Sequence, residues 1–384
     1  MRRFKGAKGL NSGKVARGVD PSPPGRLPFA SRWSAVLLVF LVGLLWSARA
    51  TLADGPGFER SADELWLVDC RALTTVRSAA EHIDQRFRTW RFARGQEKWQ
   101  AVPERDYLQA VQMVMPTCVW VHGDRVDCDR AFQIGREVYQ QLVGEQEDLP
   151  PLRFVIWSWP TTHQLRGRPL KDARMKAARA DAAGYSLGWM LNQFPPASPV
   201  SLLGFSFGAR VVTGAVHVTA GGQLAGYEIP GQDDRRATGY QVVLIAAAMG
   251  NNWLEAGRKY DQACARIDRL LLLNNCQDWV LKRYHLLKCG NGCEALGYTG
   301  LGAPDSLADH RARISQVNAG PYIGKQHRWG PYIYSAPLMG KMRATLLGQS
   351  PAPVELPMHQ LPTAAGSRPP GNEVTAVRPT DDSP

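Results

Sequence analysis

Residues 200–212 read Val-Ser-Leu-Leu-Gly-Phe-Ser-Phe-Gly-Ala-Arg-Val-Val, and their order decides the fold. The apolar run at 200–203 has the composition of a buried strand. It leads into Gly204-Phe205-Ser206-Phe207-Gly208 and straight on into a helix-like stretch. A Gly-x-Ser-x-Gly set between strand and helix is a sharp turn that lifts a serine above the end of a sheet. The glycines have a steric purpose, because a side chain at either flank of so crowded a turn would strike the adjoining strand or helix. In a chain with 37 glycines the five-residue pattern alone is weak, so the flanking strand and helix carry the reading.

Working outward, apolar runs at 65–70, 87–92, 118–121, 152–157, 241–247, 267–273 and 313–317 read as further strands. Residues 128–142, 172–194, 207–218 and 336–347 read as helices, the second with apolar positions at three- and four-residue steps. Strands alternating with helices predict a mostly parallel sheet covered by helices on both faces. Residues 220–238, rich in Gly, Asp and Arg, read as a surface loop, with a small lid as one reading. Residues 320–325 superficially resemble a phosphate loop, but the spacing is one residue short and no Ser or Thr follows the lysine.

The ends of the 384-residue chain differ from its middle. Residues 1–32 hold eight basic side chains and one acid, Asp20; a twelve-residue apolar run follows at 35–46, then Ser47-Ala48-Arg49-Ala50. Basic region, short apolar core and small-x-small site make residues 1–50 a secretory signal, cleaved after Ala50 or alternatively Ala53. An uncleaved membrane anchor is the competing reading, though twelve residues are short for a span. The expected location is therefore exported, periplasmic or secreted, with a membrane-anchored form as the alternative. Residues 1–50 carry nine Lys/Arg and one Asp, so the formal +12 of the whole chain falls to near +4 without them. The basicity reports targeting and gives no reason to expect a nucleic-acid partner. Residues 349–384 form a Pro-rich tail expected to be disordered, which leaves one large α/β domain at 55–348.

Seven cysteines suit an exported protein. Cys289 and Cys293 bracket Gly-Asn-Gly, a turn that would allow a local disulfide. Cys118, Cys264 and Cys276 lie in or beside apolar runs, where cysteine acts as a small hydrophobe. No further ligands stand at zinc spacing, so no metal site is expected.

A serine hydroxyl needs a base to take its proton, and the base needs a carboxylate to fix its tautomer. On this scaffold the order along the chain is Ser, acid, His. Asp278 follows the strand at 267–273 and is the expected acid, its competing role being a helix N-cap. Asp268 falls at the start of that strand, and Asp261 is weaker still. His327 follows the last strand and precedes the closing helix, as the base must. His310 precedes that strand, and His285 sits too close to Asp278 to face it. The oxyanion hole needs two backbone donors. Phe207 N–H is one; Gly123 or Asp124, in the loop after the strand at 118–121, supplies the other. His122 is expected to order that loop and not to take the proton.

These residues resemble the α/β-hydrolase superfamily, and more narrowly a bacterial branch of uncharacterised esterase/lipase-like proteins. The likeness covers residues 65–347: His122-Gly123, Trp157-Ser158-Trp159-Pro160, Ser206 with Gly208-Ala209-Arg210, Asp278, and His327 before Tyr332. Phe205 and Phe207 stand where the family often has His and Met, which alters the pocket but not the chemistry. The resemblance implies the α/β-hydrolase fold and a Ser206-His327-Asp278 esterase forming an acyl-enzyme, acting without cofactor or metal on a small or lipid-like ester. The rival expectation is a catalytically inactive scaffold that binds a partner at the membrane or cell envelope. Membrane contact is expected only through residues 35–46, if these stay uncleaved.

Overall fold

The computed structural model describes residues 60–348 except 83–86, 94–95, 145, 147, 163–164, 166, 231–238 and 288–292. The signal or anchor segment, the C-terminal tail and Cys289 of the expected disulfide lie outside the described residues.

The strands are β1 Glu64–Asp69, β2 Arg88–Ala93, β3 Lys98–Val102, β4 Thr117–Val121, β5 Arg153–Ser158, β6 Val200–Phe205, β7 Tyr240–Ile245, β8 Ile267–Asn274 and β9 Ile314–Asn318. Between and after them run α1 Val76–His82, α2 Glu104–Val111, α3 Cys128–Val143, α4 Pro169–Leu191, α5 Phe207–Thr219, α6 Leu296–Thr299, α7 Gly320–Ile323, α8 Trp329–Ile333 and α9 Ala336–Leu346. The strands form one sheet in the order β3-β2-β1-β5-β4-β6-β7-β8-β9. Every pairing from β1 across to β9 is parallel, while β2 runs antiparallel to both of its neighbours.

Chain direction places the helices. From β4 to β5 the chain moves one place toward β1 through α3; from β5 to β6 it steps back past β4 through α4. Right-handed crossovers in opposite directions put α3 and α4 on opposite faces of the sheet. Helix α5 continues in the direction of α4 and packs along it, while α9 packs against α3 and β7. Strands β4, β5 and β6 are buried at every position, as a sheet covered on both sides requires. Helix α5 is also buried along its whole length, its polar residues Arg210, Thr213 and His217 included. The architecture is the α/β-hydrolase fold.

Three expectations change. The sheet gains β3, which the sequence reading passed over. It is an edge strand with no fully buried residue and so has no apolar run to betray it. The loop after α5 descends to the start of β7, so its described part lies at the end of the sheet away from Ser206. There Leu224 and Tyr227 pair to form a tight turn, and the described residues of the loop form no lid; residues 231–238 lie outside the described residues. Finally, Cys118 and Cys264 are buried, and burial pushes their thiols up to about 12 and about 11. Cys276 is exposed instead, with its sulfur accepting from Asn318 Nδ2 at 3.3 Å. Among the described residues no helix is long and apolar enough to cross a membrane.

Candidate active site

Ser206 occupies the junction of β6 and α5 with φ +55° and ψ −119°. A non-glycine residue in that region carries ~1–3 kcal/mol of strain and persists only where its surroundings hold it. Here the hold is visible. Ser206 N–H donates to Ile245 O at 2.9 Å, and Ser206 O accepts from Ala248 N–H at 3.1 Å and Ala209 N–H at 3.1 Å. The glycines do what the sequence predicts. A Cβ on Gly204 would lie 2.7 Å from Ala209 Cα, and one on Gly208 would lie 2.1 Å from Val121 O. Helix α5 therefore starts directly against the end of β4, with the serine at its head.

The acid and base arrive from the ends of the last two strands. Asp278, fully buried, uses Oδ1 to accept the N–H groups of Val280 at 2.9 Å and Leu281 at 3.0 Å. Its Oδ2 is left to face His327 Nδ1 at 2.6 Å. The N-cap role and the partner role are thus both real, divided between two oxygens of one carboxylate. On the far side of the ring, His327 Nε2 stands 2.9 Å from Ser206 Oγ. With the proton on Nδ1 donated to Asp278, Nε2 is free to accept from the serine hydroxyl. The two loops are tied together as well, since Asn275 Nδ2 donates to Gly324 O at 2.8 Å and Trp279 N–H to Lys325 O at 3.5 Å. Phe205 stacks beside the imidazole with centroids 5.3 Å apart and also meets Tyr332. Phe205 and Phe207 are both buried beside Ser206.

The loop after β4 closes the third side. A Cβ on Gly123 would come within 2.8 Å of the Phe205 ring and 3.2 Å of Ser206 Cβ, so backbone alone fits there. His122 is buried; its Nδ1–H donates to Gly123 O at 2.9 Å, and its Nε2 accepts from Trp159 N–H at 3.4 Å. Burial drives its pKa down to about 3, so it stays neutral and orders the loop. Trp159 Nε1–H also donates to His122 O at 2.9 Å. No hydrogen bond among the described residues uses the N–H of Gly123, Asp124 or Phe207. Phe207, at the first position of α5, has no intrahelical acceptor by geometry.

His310 and Asp268 lie at the opposite ends of their strands, away from Ser206, and His285 sits in the 3₁₀ turn Leu281–Leu287. Sequence reasoning missed two charged clusters beside the site. Asp181 of α4 takes Arg210 Nε at 3.1 Å, Arg210 Nη2 at 3.0 Å, Lys259 Nζ at 2.7 Å and Tyr260 OH at 2.8 Å. Burial would raise the Asp181 pKa, but Arg210 and Lys259 more than offset it and hold the carboxyl below its ordinary value. The second cluster joins Lys176 to Asp172 and Asp124. Only the i, i+4 spacing of Asp172 and Lys176 hints at it in the sequence; its long-range arm has no local signal. Among the described residues no group of three or more His, Cys, Asp or Glu could hold a metal ion.

No family model matches the chain, and no curated protein matches it. Solved structures do. Esterase B from Lactobacillus rhamnosis with a C6-C4 SN3 inhibitor is 13% identical, with a TM-score of 0.37, covering 83% of this chain and 93% of that one. A second structure of esterase B from Lactobacillus rhamnosis (HN001) is 13% identical at a TM-score of 0.35, covering 83% and 94%. Its complex with a C4-C4 SN3 tributyrin phosphonate is 12% identical at 0.34, covering 83% and 92%. Values this low carry no conclusion about activity; the fold assignment rests on strand order and connections.

Proposed function

We propose that this protein is an exported serine hydrolase that cleaves carboxylic esters through an acyl-enzyme. The observation that carries the reading is the unbroken relay from Asp278 Oδ2 to His327 Nδ1, 2.6 Å, and from His327 Nε2 to Ser206 Oγ, 2.9 Å. These are the separations at which a proton can leave the serine as its oxygen attacks. Ser206 Oγ adds to the ester carbonyl while His327 takes its proton. The resulting imidazolium is stabilised by Asp278, which stays ionised. The carbonyl oxygen gains negative charge and is received by Phe207 N–H and by Gly123 or Asp124 N–H. His327 then protonates the leaving alcohol, and water, deprotonated by the same imidazole, releases the acid. What supports export is the basic, apolar and small-residue sequence of the first fifty residues.

The test is turnover of p-nitrophenyl esters of graded acyl length, with the matching anilides alongside. Ester hydrolysis that falls by ~10⁴-fold or more in Ser206→Ala, with the circular dichroism unchanged, is the expected result. Turnover of the anilides and not the esters would move the assignment to amide bonds. A folded protein that hydrolyses neither would contradict it.

A further inference from the structure

Lys176 is a lysine with no exposed side-chain area, about two turns inside α4. Burying an ammonium is unfavourable unless the charge is paired, so its partners show what the burial is for. Asp172 Oδ2, one turn back on the same helix and itself buried, lies 2.8 Å away. The second partner is Asp124 Oδ1 at 2.7 Å, contributed by the loop after β4. One pair is local, within a single turn of helix. The other reaches across to the residue following Gly123.

Asp124 is where that loop turns sharply. Arg125, next in the chain, has φ +60°, and its N–H donates to Asp124 Oδ1 at 2.8 Å as well as to Thr161 O at 3.2 Å. Its guanidinium also lies 3.5 Å from Asp124 Oδ2. Val126 N–H donates to Thr161 Oγ1 at 3.1 Å. Upstream, His122 and Trp159 hold the carbonyls of His122 and Gly123. The carbonyls of His122 and Gly123 and the side chain of Asp124 are therefore engaged, while the N–H groups of Gly123 and Asp124 remain unused.

We infer that Lys176 is a positioning residue: through Asp124 it sets the orientation of the oxyanion-receiving N–H groups at Gly123 and Asp124. The inference rests on the serine hydrolase reading above and goes further, assigning a reaction role to a buried ion pair on a helix that supplies no reacting group. Preorganised donors are effective because they need not move as charge develops, and a misplacement of ~1 Å can cost ~10²-fold in rate. Holding the carboxylate against Lys176 also keeps its negative charge turned from the forming oxyanion.

The test uses Asp124→Ala in the full chain. This variant keeps the Asp124 backbone N–H, removes the Oδ1 that Lys176 reaches, and leaves Lys176 paired to Asp172, so the protein is expected to fold. On a p-nitrophenyl ester, kcat should fall ~10²-fold with KM within threefold and the melting temperature within about 2 °C of wild type. Asp124→Asn, whose Oδ1 still accepts from Lys176 Nζ and from Arg125 N–H, should recover at least ~10-fold of that loss. A kcat within threefold of wild type in Asp124→Ala would overturn the inference while leaving the hydrolase reading intact. A loss of kcat accompanied by an equal loss of thermal stability would also overturn it, by reducing the pair to a structural tie. Wild type without turnover would remove both readings together.

Discussion

At the scale of single residues, the site depends on which atom of each side chain is already engaged. Asp278 Oδ1 is held by two N–H groups of its own turn, and that fixes Oδ2 on His327. The sequence reading could weigh N-cap against catalytic acid only as alternatives, because it has no access to the two oxygens separately. The proposed base was legible for a different reason: only His327 follows the last strand and precedes the closing helix. Replacement of His327 by Ala is expected to reduce kcat by ~10⁴-fold or more, whereas His310→Ala should leave it within threefold. Steady-state kinetics on the two purified variants checks this, and equal losses in both would remove His327 from its role.

At the scale of elements, the strand-turn-helix of 200–219 was readable because every local signal agrees: apolar strand, two glycines, then a mostly apolar helix. The structure adds the neighbour that makes Gly208 necessary, the carbonyl of Val121 at the end of β4. Gly208→Ala should therefore lose ~3 kcal/mol or more, or fail to accumulate as soluble protein. Gly340, in α9, has nothing within 4 Å of where a Cβ would stand. Gly340→Ala should gain about 0.5–1 kcal/mol through helix propensity alone. Urea denaturation of the pair reads both, and equal effects would contradict the steric account of the elbow. Among the elements missed by sequence, β3 and the short α1 and α2 share a cause. Each lies at the margin of the sheet and buries too few residues to leave a periodic pattern.

For the molecule as a whole, tertiary contacts convert sequence positions far apart into one charge distribution. That is why the Asp124–Lys176 and Asp181–Arg210 pairs, 52 and 29 residues apart in the numbering, were invisible beforehand. Stability should respond to pH through the buried neutral His122. Its folded pKa, lowered by burial to about 3, lies below the ordinary value of 6.5. The unfolded chain thus binds the proton first, and the stabilisation present above about pH 6.5 is lost as pH falls toward 3. The expected contribution is up to about 1.4 kcal/mol per pH unit, seen as a shallower decline of the urea midpoint below pH 6.5 in His122→Asn than in wild type. Parallel declines would show that His122 does not set the acid response.

The account stands on an activated Ser206, and the most direct measurement is labelling of the purified full-length protein with a fluorophosphonate, followed by peptide mass mapping. The prediction is one label per chain on Ser206, abolished in Ser206→Ala and strongly slowed in His327→Ala. A folded wild-type protein that takes up no label, or takes it up at another residue, would contradict the claim.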